Sequence, residues 1–171
     1  MKVDVLNNGP INANCYFLYQ DNKVIVVDPG AKYVDIKNKI KDHELVAIFI
    51  THDHFDHVDS LDELLEYYPA PINPSEVDGY NYEIVKTPGH SKDSISFYFP
   101  NEKIIIIGDF LFHRGIGYTH FPGGNNKEMI DSLNLIREYP DDLVVYPGHD
   151  EIAILGEEKA LFDHYIDSLK K

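Results

Sequence analysis

Thr51 to His57 reads THDHFDH, placing His52, His54, Asp56 and His57 within six residues, directly after the apolar run Val46 to Ile50. Imidazole and carboxylate are the usual donors to divalent metals, and few sequences crowd four of them together without one. In an extended chain, side chains two apart share a side, so His52, His54 and Asp56 would face the same way. His57 breaks that parity. All four can converge only if the chain turns at about Asp56.

Three further donors stand where apolar runs give way to loops. His90 lies in TPGHS, Asp109 in IIIIGD and His149 in VVYPGHD, with Gly89, Gly108 and Gly148 beside them. Glycine lets a backbone bend tightly and approach a ligand, and rigid strands would hold such loop-borne donors at one rim. Seven donors exceed one tetrahedral zinc site. They suit two ions if one carboxylate bridges, and Asp109 is the natural bridge. Nitrogen and oxygen donors without thiolate fit zinc, the expected metal, and also iron, manganese or cobalt.

The elements that must position these residues follow from the apolar periodicity. Val3 to Leu6, Cys15 to Tyr19 and Val24 to Val27 read as strands separated by turn residues, Val34 to Ile40 as a helix and Val46 to Ile50 as a buried strand. Val58 to Tyr68 reads as one helix, opened by a capping box of Ser60 and Glu63, with Leu61, Leu64, Leu65 and Tyr68 on one face. Glu83 to Lys86, Ile95 to Phe99 and Lys103 to Ile107 make a second block of strands. A helix is predicted from Asn126 to before Pro140, a strand over Leu143 to Tyr146, and a closing helix bearing Leu161, Phe162, Tyr165, Ile166 and Leu169. Strand blocks with helices between them suit two sheets covered by helices.

Length and composition suit one domain spanning residues 1–171: 43% of residues are hydrophobic and 26% charged. No aliphatic run exceeds four residues, Ile104 to Ile107 being one such, which is too short to cross a bilayer, and MKVDVLNN lacks a signal-peptide layout, so no membrane association and a cytoplasmic location are expected. Against 15 basic residues stand 29 acidic ones, for a net charge of −14. A phosphate backbone would be repelled, so nucleic acid is not an expected partner and a small molecule is. Cys15 is the single cysteine and reads as a core thiol. Nothing in the sequence sets an oligomeric state.

Taken together and in order, THDHFDH, TPGHS, Gly108-Asp109 and Pro147 to His149 resemble the metal-binding motifs of the metallo-β-lactamase superfamily, above all its glyoxalase II-like branch. NCYFL at Asn14 and VVDPG at Val26 extend the resemblance, which runs from near the N-terminus to about Gly156. It implies an α/β fold in the form of a four-layer αββα sandwich with a dinuclear site at one edge of the sheets. It also implies that His52, His54 and His90 hold one metal, Asp56, His57 and His149 the other, and that Asp109 bridges. Asp28 would support the ligands without binding a metal.

The implied activity is hydrolysis of a small thioester or related ester by a hydroxide shared between two divalent ions, with Asp56 orienting it and taking up its proton. Two departures set limits. Glyoxalase II has a C-terminal helical region that supplies basic residues for glutathione, whereas Asp150 to Lys171 can make about one helix. Relatives also often carry Lys or Arg where this chain has Tyr118, and Tyr or Asp where it has His120. Both departures count against recognition of a glutathione moiety and leave open whether the substrate is glutathione-linked. Arg114, Tyr118 and His120, with His113, remain candidate substrate contacts in a loop expected near the metals. The alternative reading is a persulfide dioxygenase-like enzyme with one ferrous ion on His54, His90 and Asp109; an RNA-processing nuclease is disfavoured by the acidic charge. His43 and His164 are expected at the surface.

Overall fold

Tyr16 to Tyr19 and Val24 to Val27 are runs of aromatic, aliphatic and β-branched residues, and both form strands. The computed structural model describes residues Met1 to Lys171, which divide into two compact units, Met1–Asn81 and Tyr82–Lys171. No helix is long and apolar enough to cross a membrane.

In the first unit, β1 (Lys2–Leu6), β2 (Cys15–Gln20), β3 (Lys23–Val27) and β4 (Glu44–Phe49) form one sheet in that order. β1–β2 and β2–β3 are antiparallel, whereas β3 and β4 are parallel. A parallel pair needs a crossover, supplied by α1 (Tyr33–Ile40), which buries Ile36 and Ile40. Phe17, Val24, Val26, Ile48 and Leu64 pack with them into one core that also encloses Cys15. Burial and the nearby Asp28 charge push the Cys15 thiol pKa up, as suits an inert core group.

The expected helix from Val58 to Tyr68 is two pieces, α2 (Phe55–Val58) and α3 (Leu61–Tyr67). No capping box forms, because the Ser60 hydroxyl donates to the Ala31 carbonyl at 2.7 Å and so ties the start of α3 to the loop after β3. The chain turns one residue earlier than expected: His54 is still extended and Phe55 begins α2.

In the second unit the sheet order is β11 (Ala153–Ile154), β10 (Val144–Pro147), β7 (Ile104–Gly108), β6 (Ile95–Phe99) and β5 (Glu83–Lys86). β6 is antiparallel to both β5 and β7, and β10 is parallel to β7. β5, β7 and β10 therefore point the same way, and their carboxyl ends share one rim. Helix α4 (Asn126–Arg137) begins where expected, with the Asn125 side chain accepting from the Glu128 N–H, and buries Met129, Leu133 and Ile136. With α6 (Phe162–Leu169) it covers Ile105, Ile107 and Val145. The hairpin β8 (Leu111–Phe112) and β9 (Gly115–Ile116), strand β11 and helix α5 (Leu155–Lys159) were not expected, since such short elements have no readable period.

His43 departs from the surface expectation: it is half-buried, with Nδ1 3.0 Å from the Ile40 carbonyl and its ring against Tyr19. His164 is exposed.

Candidate metal centre

Open sheets with parallel strands present their loops at the strands' carboxyl ends, and both units place their donors there. In the first unit, β3 ends at Val27 before Asp28 and β4 at Phe49 before Thr51 and His52, with the Asp28 N–H bonded to the Phe49 carbonyl at 2.8 Å. In the second, β7 ends at Gly108 before Asp109 and β10 at Pro147 before His149, and the Gly148 N–H bonds the Gly108 carbonyl at 2.8 Å. Asp109 and His149 are thus brought together by strand pairing although 40 positions separate them.

In the first unit His52 Nε2 lies 3.1 Å from His54 Nδ1, and His57 Nε2 lies 3.5 Å from Asp56 Oδ2. The His52 ring sits 4.2 Å from that of His57. His52, Asp56 and His57 are buried and His54 half-buried. All four donors of THDHFDH therefore cluster, as the sequence predicts.

Asp28 organises this cluster. It is 1% exposed, and its Oδ1 accepts the Thr51 N–H at 2.7 Å while Oδ2 accepts the Thr51 hydroxyl at 2.7 Å and faces His57 Nδ1 at 3.0 Å. The His57 Nδ1–H donates to the carboxylate, which leaves Nε2 as a lone pair. Thr51 has one hydroxyl hydrogen, and it points to Asp28. Its oxygen can then only accept from His52 Nδ1, 3.1 Å away, so His52 also keeps Nε2 unprotonated. One buried carboxylate, directly at His57 and through Thr51 at His52, sets both imidazoles in a tautomer that could offer Nε2 to a cation. Asp28 fits the supporting part foreseen for it; Thr51 was missed, because a lone threonine beside a histidine carries no pattern of its own.

In the second unit Asp109 Oδ2 lies 3.6 Å from His90 Nε2 and 3.5 Å from His149 Nε2. One carboxylate oxygen thus stands between two imidazole nitrogens. His90 Nδ1 donates to the Tyr118 carbonyl at 2.8 Å, again leaving Nε2 as the lone pair. Gly117 makes this approach possible: a Cβ there would lie 1.9 Å from the Asp109 carbonyl and 2.9 Å from His90 Nδ1. Ser91 donates to Asp93 at 2.7 Å and is a loop hydroxyl.

The donor sets fit divalent cations. Metal–donor bonds of about 2.0–2.2 Å at near-tetrahedral angles set neighbouring donors about 3.3–3.6 Å apart. Three of the four donor pairs above, at 3.5, 3.6 and 3.5 Å, fall in that range, and the His52–His54 pair is closer at 3.1 Å. No thiolate takes part, which separates these sets from closed structural zinc sites.

The candidate substrate contacts fall into two groups. Tyr118 and His120 are exposed on the loop after β9, next to His90 through the Tyr118 carbonyl. Arg114 and His113 form the turn between β8 and β9, and with Glu157, Glu158 and Leu161 they line a cleft of about 430 Å³. There the Arg114 N–H donates to the buried Glu158 carboxylate at 2.8 Å.

The family model of the metallo-β-lactamase superfamily matches residues 8–83 and 76–149. A probable metallo-hydrolase of Bacillus subtilis, YqgX, is 32% identical over 88% of this chain and 91% of its own length. The hydroxyacylglutathione hydrolase GloC of Haemophilus influenzae is 25% identical over 93% of this chain and 95% of its own. Among solved structures, the crystal structure of the BLEG-1 B3 metallo-β-lactamase superposes with a TM-score of 0.88 at 25% identity, covering 93% of this chain and 97% of that one. Sequence motifs, fold and family model agree, and the chain belongs to the metallo-β-lactamase superfamily.

Proposed function

We propose that the protein is a dinuclear metal-dependent hydrolase of small thioesters or related esters, working as one functional domain to which both units contribute ligands. In this reading His52, His54 and His90 hold one ion, Asp56, His57 and His149 hold the other, and Asp109 bridges. The observation that carries it is Asp109 Oδ2, set 3.6 and 3.5 Å from the two histidines assigned to different ions. The names metallo-hydrolase and hydroxyacylglutathione hydrolase among the relatives support the reaction class. Zinc is the expected metal, since its d10 shell tolerates these donors without a geometric demand.

Two such cations, when bound, would lower the pKa of water from about 15.7 toward about 7 and polarise an acyl carbonyl. The protein's own groups do the rest. Asp28 and Thr51 keep His52 and His57 in the binding tautomer, and the Tyr118 carbonyl does the same for His90. Asp56 would orient the attacking oxygen and accept its proton. The oxygen bonds to the acyl carbon, the acyl carbon–sulfur bond breaks, and the proton passes to the departing thiolate, giving a carboxylic acid and a thiol.

The test is Asp109→Ala in zinc-loaded protein, assayed for metal content and for turnover of a small thioester. Loss of metal together with at least about a hundredfold fall in turnover is expected, since removing a metal support typically costs 10–100-fold by itself. Full occupancy and a near-normal rate would overturn the reading, as would one iron per chain with oxygen uptake on a persulfide and no thioester turnover in the unchanged protein.

A further inference from the structure

Gly115 to Asn126 contains no Asp, Glu, Lys or Arg, in a chain that is 26% charged. Within that stretch two large rings face solvent: Tyr118 is 73% exposed and Phe121 52%. They are neighbours, edge to face at 6.2 Å and 83°. Phe121 stands edge to face on the His90 ring at 6.0 Å and 87°. An aromatic surface, with His120 the one imidazole of its stretch, thus begins at the ring assigned above as a metal ligand.

The loop that carries it is held in place. The Tyr118 carbonyl accepts from His90 Nδ1, and the Gly117 N–H bonds the Phe110 carbonyl at 3.2 Å. The Thr119 hydroxyl bonds the Asn126 side chain, the Gly124 N–H bonds the Phe121 carbonyl at 2.8 Å, and the Asn125 N–H bonds the Gly89 carbonyl at 2.8 Å. A rigid loop displaying two apolar rings loses little entropy when a ligand covers them. Leaving them in water is unfavourable, and it is relieved whenever a flat apolar group lies on them.

Building on the hydrolase reading, we infer that Tyr118 and Phe121 are specificity-determining residues that form a shelf for an uncharged aromatic group of the substrate, carried beside the scissile thioester. A thiol leaving group that carries carboxylates finds no Lys or Arg in Gly115–Asn126 and meets a net charge of −14. Gly115–Asn126 supplies no carboxylate to pair with a cationic group either. Offset stacking and edge contact with a neutral ring are what the arrangement offers.

The experiment compares zinc-loaded wild type with Tyr118→Ser and Phe121→Ser, each checked for metal content. The probes are phenyl thioacetate and S-benzoyl-N-acetylcysteamine as neutral aromatic thioesters, methyl thioacetate as the small neutral reference, S-lactoylglutathione as the anionic one, and a trimethylammonium-bearing thioester as the cationic one. The expected result is that each substitution raises KM for the aromatic thioesters about tenfold more than it raises KM for methyl thioacetate, with kcat for the aromatic ones within about threefold, the signature of lost uniform binding. Equal losses on all probes, no loss on the aromatic ones, or wild-type preference for the anionic or cationic probe would overturn the shelf. If wild type turns over none of them, the hydrolase reading falls, and the shelf is then judged by saturation-transfer NMR with N-benzylacetamide. Signal lost in Tyr118→Ser supports it; signal unchanged overturns it.

Discussion

A threonine hydroxyl has one proton to give, and in Thr51 it goes to Asp28 Oδ2 at 2.7 Å. That single direction decides which nitrogen of His52 carries hydrogen, and with it which nitrogen could accept a cation. Thr51→Val should therefore weaken zinc binding by about 10–100-fold, while Thr51→Ser stays within about threefold, measured by competition with a chromogenic chelator. Wild-type affinity in the valine variant would show that the relay has no influence on the metal. At this scale the sequence was most readable where donors are consecutive: THDHFDH announces itself because imidazoles are rarely crowded for packing. The hydroxyls were not readable. Ser60 and Glu63 match a capping box, yet the Ser60 hydroxyl is taken by Ala31, 29 positions away, a partner that only the folded chain supplies. His43 likewise looked like a surface residue until α1 ended beside it and offered the Ile40 carbonyl.

Elements set the positions that side chains then refine. β3 and β4 are parallel, so their carboxyl ends lie side by side and bring Asp28 to Thr51; β7 and β10 repeat the device for Asp109 and His149. The loop after β3 also packs against α2 without a gap. A Cβ on Gly30 would fall 1.7 Å from the Asp56 carbonyl, and one on Gly9 1.8 Å from the Gly30 carbonyl. Three backbone segments are stacked in direct contact there. Gly30→Ala should push α2 outward and lower stability by about 1–3 kcal/mol, read from urea unfolding midpoints, with reduced metal uptake because Asp56 and His57 ride on α2. An unchanged midpoint with full metal uptake would mean that the stack yields without consequence. The long strands and α1, α4 and α6 were legible from their periodicity, since each buries a whole face. The split between α2 and α3 was not: Val58 to Tyr68 has continuous helical spacing, and the break arises from the Pro29 and Ala31 carbonyls, which bind the Ser60 N–H and hydroxyl.

Across the whole molecule, seven donors come from four separate stretches of chain, and the central claim is that they serve one pair of ions. The motifs pointed to this before any fold was known, because the types and spacing of the donors are themselves the signal. What order and spacing do not carry is the surface around the site, which is why the neutral aromatic stretch from Gly115 to Asn126 gained meaning only once Tyr118 and Phe121 proved exposed beside His90. The most direct measurement is an anomalous-difference map from crystals of the full chain grown with zinc. The account predicts two peaks, both bonded at about 2.0–2.2 Å to Asp109, one also to His52, His54 and His90 and the other to Asp56, His57 and His149. A single peak, or two peaks of which Asp109 touches only one, would contradict it.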